Sequence, residues 1–238
     1  MQWTDQAIVL SARRHGESAT IAEVLTRERG RHLGLVRGGT SARMRAMLQP
    51  GNSLHLTWRA RLSDHLGHFS AEVATARAAA LIEDGAKLAG LQSLAALAHL
   101  LAEREPAAGL HESLEVVLDA MAGGEAWPAL VVRWELGLLT ELGFGIDLSA
   151  CAATGSPEDL AYVSPKSGRA VSRSAGLAYH NRLLPLPGFL VGRNAPAGAG
   201  DVVDGFRLTG HFLDRDVFGP RAMAPPEARG RLIRLLMR

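Results

Sequence analysis

Hydrophobic and polar positions alternate most cleanly between residues 54 and 62. Leu54, Leu56, Trp58, Ala60 and Leu62 fall on one phase, and His55, Thr57, Arg59 and Arg61 on the other. A period of two predicts a β-strand with the first set on a core face and the two arginines together on the solvent face. Runs rich in branched residues at 7–11, 20–26 and 33–36 predict three more strands, and 68–74 a weaker fifth. The turn Thr26-Arg27-Glu28-Arg29-Gly30 joins two of them, with Gly30 suited to a backbone position at φ > 0. Such a set of short strands predicts a small closed or half-closed barrel. SH3-like and OB (oligonucleotide- and oligosaccharide-binding) barrels both fit the strand count.

Beyond residue 80 the period changes. Leu110, Leu114, Val117 and Met121 recur at helical spacing, as do Trp127, Leu130, Val131, Trp134 and Leu138. Pro128 suits the first turn of the second of these helices and Gly143 its C-terminal end. Leu88, Leu91, Leu94, Leu97 and Leu101 predict a further helix, apolar nearly all round, and the acids among these helices read as a solvated face. Residues 151–176 are polar and rich in Pro and Gly, which predicts loops with a short hairpin. A long loop is expected over 185–200, then short helices over 206–218 and 227–237, the last decorated by Arg229, Arg231, Arg234 and Arg238.

The length of 238 residues, with 47% apolar and 21% charged positions, predicts two domains with a sizeable core, divided here into 1–80 and 81–238. A single cysteine, Cys151, cannot close an intrachain disulfide and fits a reducing cytoplasm. No signal-like segment opens the chain. The longest apolar stretch without a charge, 88–102, has 15 residues. A membrane span needs about 18 or more. A soluble, cytoplasmic protein is expected.

The net charge of +2 is unevenly placed. Residues 1–80 carry +5, residues 81–150 carry −8 and residues 151–238 carry +5. Such asymmetry points to a surface for anions, nucleic acid first among them. Arginine supplies nearly all the positive charge, since Lys87 and Lys166 are the only lysines.

Enzyme motifs are missing. Neither lysine follows a glycine, so no Walker A loop exists, and there is no GxGxxG, GxSxG or HExxH. His65 and His68 with Asp64 have possible ligand spacing, but a metal site there lacks two further ligands. A non-enzymatic protein without cofactor or metal is expected. A metal-dependent nuclease around Asp64, His65 and His68 is one alternative, and an OB-type RNA-binding module is another.

The basic groups of the first domain cluster. Arg13 and Arg14 follow the first strand, Arg27, Arg29 and Arg31 surround the tight turn, and Arg59 and Arg61 share the strand face. Arg37-Gly38-Gly39-Thr40-Ser41-Ala42-Arg43-Met44-Arg45 combines three arginines with two glycines and two hydroxyls. Glycine lets backbone N–H groups approach an anion, and the arginine fork matches phosphate oxygens. These ten arginines are the candidate DNA contacts. Aromatic stacking platforms are sparse, which predicts electrostatic, sequence-tolerant binding with strong salt dependence.

The stretch Gln6-Ala7-Ile8-Val9-Leu10-Ser11 with Arg13-Arg14-His15-Gly16-Glu17 resembles the RecO family of bacterial recombination mediators. Gly30-Arg31-His32, Gly34-Leu35-Val36-Arg37-Gly38-Gly39 and Leu48-Gln49-Pro50-Gly51 extend the resemblance. So do Glu135-Leu136-Gly137-Leu138-Leu139 and Tyr162-Val163-Ser164-Pro165-Lys166-Ser167-Gly168-Arg169, the latter similar to alphaproteobacterial members. The resemblance implies an α+β protein, an N-terminal OB barrel followed by a mainly helical domain. It implies binding and annealing of single- and double-stranded DNA, engagement of the acidic tail of single-strand-binding protein, and a complex with RecR that helps load RecA. Arg133 beside Trp134 is the candidate site for that tail. Many family members carry a four-cysteine zinc site. Only Cys151 stands here, with Thr154 at the second thiol's place, so a zinc-less remnant is expected over about 148–178.

Overall fold

The computed structural model describes residues 1–124, 126–192 and 197–237. The chain is mixed α+β and divides into two compact units, Met1–Glu125 and Ala126–Arg238. The first unit is built on five strands: β1 (Gln2–His15), β2 (Ala19–Thr26), β3 (Gly30–Val36), β4 (Ser53–Arg59) and β5 (His68–Thr75). They close into a barrel in the order β1-β2-β3-β5-β4. A short helix, α1 (Ala42–Met47), lies between β3 and β4.

The long first strand makes closure possible. Its first half pairs antiparallel with β4 (Gln2 with Arg59 through Ile8 with Ser53), and its second half with β2 (Ala7 with Thr26 through His15 with Ala19). A register shift between Val9 and Ser11 bends the strand where it passes from one neighbour to the other. Between β3 and β5 the seam is thin, a parallel pairing of Leu35 with His68.

The barrel core gathers Val9, Val24, Val36, Leu54, Leu56, Trp58 and Phe69, as the alternation in β4 requires. Ile8, Leu10 and Leu25 point the other way yet are buried. Helices α3 (Gly85–Ala98) and α4 (Ala108–Gly123) cover that outer face of β1 and β2, which is why residues 7–10 form an unbroken apolar run. The compact unit therefore extends past the barrel, through the five-residue α2 (Ala78–Ile82) to the end of α4.

Arg77 is central to this packing. It is 4% exposed, and donates from Nε to Asp119 at 2.5 Å and from Nη1 to Ser53 Oγ at 2.6 Å. Asn52 Oδ1 accepts the backbone N–H groups of Arg77 and Ala78, while Asn52 Nδ2 donates to the carbonyls of Ala46 and Met47 at the end of α1. Asp119, one of the acids expected on a solvated face, is thus the partner of a buried arginine.

The alternation misleads at one point. Strand β4 ends at Arg59, so Leu62 is 51% exposed rather than on the core face, and Arg61 lies in the following loop rather than beside Arg59 on a strand. Arg104 explains the break: Nη1 donates to Ser63 O at 2.6 Å, and Nη2 to the carbonyls of Asp64 and His65 at 3.2 Å. The chain is drawn out of strand geometry by a residue far along the sequence.

In the second unit, α5 (Trp127–Glu141) buries Trp127, Val131, Trp134 and Leu138. Strands β6 (Leu160–Val163), β7 (Ala170–Ser172) and β8 (Leu184–Pro185) form a small sheet in the order β7-β6-β8, and β6 with β7 is the expected hairpin. A short α6 (Arg173–Gly176) follows β7. Helix α7 (Ala199–Phe212) starts earlier than expected, because the Asp201 carboxylate accepts the Gly198 N–H at 3.0 Å and stabilises its first turn. It continues as a π-helical stretch, Leu213–Phe218, before α8 (Glu227–Leu236). Arg238, expected on that last helix, lies outside the described residues, as do 193–196 of the expected long loop.

Candidate nucleic-acid interface

The ten arginines singled out in the sequence fall into two groups. The first group is already engaged. Arg31 donates to Glu23 at 2.6 Å and to Leu101 O at 2.9 Å, and is only partly exposed. Arg27 pairs with Glu112 at 2.7 Å, both half exposed. Such a pair is weak in water and open to competition. The Arg29 guanidinium stands 5.3 Å from the Trp3 ring. Arg14 folds back onto the carbonyls of Gly16 and Glu17. Arg31 is therefore a structural side chain holding β3 rather than an open anion contact.

The second group is exposed: Arg13, Arg37, Arg43, Arg45, Arg59 and Arg61. Four of these converge around α1. Arg43 and Arg45 are two positions apart on the helix and therefore point to different sides. Arg45 reaches a cavity of about 450 Å³ lined also by Arg14, Thr20, Thr40 and Gln49. Arg43 lines a second hollow with Arg37 and Ser41. Arg37 then lines a third with Arg59 and His68, at the thin seam between β3 and β5. The second and third hollows share Arg37 and Met44, and residues of α1 line all three. One side of the barrel thus carries a row of arginine-lined hollows.

The loop before α1 is shaped for this. Gly38 sits at φ +65°, and a Cβ on Gly39 would lie 2.5 Å from the Thr20 Cβ, so the loop lies flat on β2. Ser41 caps α1 by accepting the Met44 N–H at 3.4 Å. At its other end, Asn52 holds the carbonyls of Ala46 and Met47. Sequence reasoning missed Asn52, and it read His68 as a metal or nuclease candidate rather than as lining this part of the barrel. Asn52 follows Pro50-Gly51 and reads as a turn residue, and nothing local marks its buried amide as the clamp of α1.

The aromatic rings are spent inward. Trp3 stacks on Trp58 with centroids 5.5 Å apart, and His32 meets Trp3, Trp58 and Phe69 edge-on. Burial holds the His32 pKa below its ordinary value, keeping this cluster neutral. Trp58, Phe69 and His32 are each 5% exposed or less.

The other candidates fare differently. Trp134 is 1% exposed, and Arg133 donates to the carbonyls of Phe189 and Gly192, so the pair does not form an open pocket for an acidic tail. Asp64, His65 and His68 belong to no group of three or more His, Cys, Asp or Glu side chains placed to hold a metal; none exists among the described residues. Around Cys151 the donor set does not fit zinc. Its Sγ lies 3.4 Å from Ser172 Oγ and accepts the Ser172 N–H at 3.2 Å, with no second thiol in the chain. Among the described residues no helix is long and apolar enough to cross a membrane.

Residues 1–77 match the family model for the N-terminal part of recombination protein O, and residues 82–223 that for its C-terminal part. The chain is 52% identical to DNA repair protein RecO of Afipia carboxidovorans, covering 100% of this chain and 97% of that protein. It is 52% identical to DNA repair protein RecO of Rhodopseudomonas palustris strain TIE-1 over the same shares, and 53% identical to that of Rhizobium etli, covering 96% of this chain and 90% of that protein. With a family model matched over each part and full-length relatives at this identity, the chain belongs to the recombination protein O family, a recombination mediator in DNA repair.

Proposed function

We propose that the chain binds single- and double-stranded DNA along the arginine-lined side of its barrel and anneals complementary strands without catalysing a covalent step. The barrel, with its order β1-β2-β3-β5-β4 and a helix between β3 and β4, is read as an OB fold. The observation that carries the proposal is the run of exposed arginines Arg37, Arg43, Arg45 and Arg59 around hollows that α1 lines. Arginine forks at this density suit phosphate oxygens, and a barrel side that follows a backbone needs no base-specific readout.

In this reading the protein works on DNA coated by single-strand-binding protein, engages the acidic tail of that protein, and acts with RecR to help load RecA. It is a cytoplasmic, nucleoid-associated protein without cofactor. The segment of about 148–178 is a former zinc region held by packing and by the Cys151–Ser172 hydrogen bond.

The test is annealing of two complementary strands coated with their single-strand-binding protein, without nucleotide or added metal. The wild type accelerates annealing, and the double charge reversal Arg43→Glu, Arg45→Glu weakens DNA binding. The slope of log affinity against log salt becomes shallower by about one for each phosphate the variant no longer neutralises. Unchanged affinity and slope in that variant would remove the assigned interface.

A further inference from the structure

The loop between β4 and β5, residues 60–67, is built unusually for an exposed connection. Its side chains from Arg61 to Leu66 are all exposed, yet its backbone is tied down along its length. Arg104 holds the carbonyls of Ser63, Asp64 and His65. Trp58 Nε1 donates to Leu66 O at 3.0 Å, and the Leu35 N–H to Gly67 O at 3.0 Å. The Met1 amino group donates to Ala60 O at 2.6 Å, and the Ala60 N–H returns to Met1 O. A Cβ on Gly67 would lie 2.3 Å from Trp58 Nε1, so the loop closes directly onto the indole edge.

These bonds use backbone carbonyls and leave the side chains free. Leu62 is 51% and Leu66 39% exposed. A single exposed leucine needs no explanation. Two on a loop whose backbone is fixed are different, because the ordering cost of presenting them is met before any ligand arrives. The charges along the loop are mostly basic: Arg59 precedes it, Arg61 and His65 lie in it, and His68 follows it, against Asp64 in the loop and Glu103, which pairs with Arg104 at 3.3 Å. Arg59 and His68 also line the hollow at the β3–β5 seam, so the loop adjoins the arginine-lined side. The barrel aromatics that could stack on bases are turned into the Trp3–His32–Trp58 cluster.

From this arrangement we infer that Leu62 and Leu66 are the base-contacting residues of the DNA interface. They pack against unstacked bases of a single strand whose phosphates are held by Arg59 and Arg61. Arg104 is the positioning residue that holds the loop in place. Apolar side chains act in this way where a protein meets bases outside a continuous stack. Duplex DNA, with its bases stacked, gains nothing from the two leucines. The inference rests on the DNA-binding reading above and adds single-strand selectivity to it.

The test compares binding of the full-length protein to an oligothymidylate, to an abasic oligomer of the same length and charge, and to a duplex. The wild type prefers the oligothymidylate to the abasic strand by about tenfold. The double variant Leu62→Ser, Leu66→Ser loses that preference while its salt slope and duplex affinity stay as in the wild type, and exposed positions such as these leave folding intact. Arg104→Ala loses the preference in the same way, and Arg104→Lys keeps part of it. A wild type that binds both single strands equally overturns the inference and leaves the DNA-binding reading standing. A double variant that keeps the preference also overturns it. A wild type that binds none of the three overturns both.

Discussion

Arg229 on α8 forks onto both carboxylate oxygens of Glu135 on α5, with Nε to Oε1 at 2.8 Å and Nη2 to Oε2 at 2.9 Å. Glu135 is fully buried, and Thr209 on α7 donates to the same carboxylate at 2.5 Å. Arg229 also donates to Phe206 O at 2.7 Å. Three helices of the second unit thus meet at one ion pair. Burying a charge pair returns little net stability, but removing one partner strands the other in an apolar interior. Glu135→Ala is expected to cost about 3–5 kcal/mol in denaturant unfolding. The double variant Glu135→Leu, Arg229→Met should recover most of that loss. A double variant as unstable as the single one would mean the pair does more than hold α8.

Gly30 joins a turn to the rest of the first unit. It sits at φ +68°, and a Cβ there would lie 1.7 Å from the Glu105 carbonyl oxygen. Backbone cannot step aside as a side-chain tip can. Gly30→Ala therefore combines left-handed strain with a steric conflict, about 2–5 kcal/mol together. Gly16 offers the control: its φ is +62° with nothing within 4 Å of a Cβ, so Gly16→Ala should cost only the conformational part, about 1–2 kcal/mol. Equal losses in thermal or denaturant unfolding would show that the close approach to Glu105 is dispensable.

Much of this architecture was legible in the sequence where the signal is local. Leu54, Leu56 and Trp58 point inward because a strand has period two, and Trp127, Val131, Trp134 and Leu138 are buried because a helix has period 3.6. The stripe that marks Trp134 as core is also the reason it is 1% exposed. What stayed hidden depends on residues far apart in the chain. Leu62 continues the alternation of β4, but the strand ends at Arg59 and bonds from residues far along the chain, Arg104 among them, hold the loop that follows. Glu135 reads as one more surface acid, and its partner lies 94 positions away. Arg31 and Arg43 look alike in composition. One is bound to a buried Glu23 and the other is exposed, and nothing beside either residue distinguishes them.

Glu23 gives the first unit a pH dependence. It is 6% exposed, and burial alone would raise its pKa. Hydrogen bonds from His99, at 2.8 Å, and Arg31, at 2.6 Å, together with their charges outweigh that and hold it below the ordinary 4.5. A carboxylate with a depressed folded pKa contributes stability that is fully present above its unfolded pKa and lost as pH falls through its folded pKa. Unfolding free energy should therefore decline below pH of about 4.5. In Glu23→Gln it should be lower at neutral pH and decline less steeply in acid. Parallel pH profiles for the two proteins would assign the acid sensitivity elsewhere.

Cys151 supplies a spectroscopic test of the segment that buries it. Its thiol is 1% exposed, and the hydrogen bond with Ser172, then that with Thr154 and the Ser172 N–H, hold its pKa down to about 6. A hydroxyl that donates to sulfur stabilises the thiolate, so its removal raises the pKa. In Ser172→Ala the midpoint of the ultraviolet thiolate absorbance should move up towards the ordinary cysteine value, with a smaller rise in Thr154→Val. Burial separates ionisation from reactivity: the thiolate at neutral pH should react slowly with a bulky disulfide reagent and faster once the protein is unfolded. An unchanged midpoint in both variants would show that the backbone N–H groups alone set the thiol's acidity.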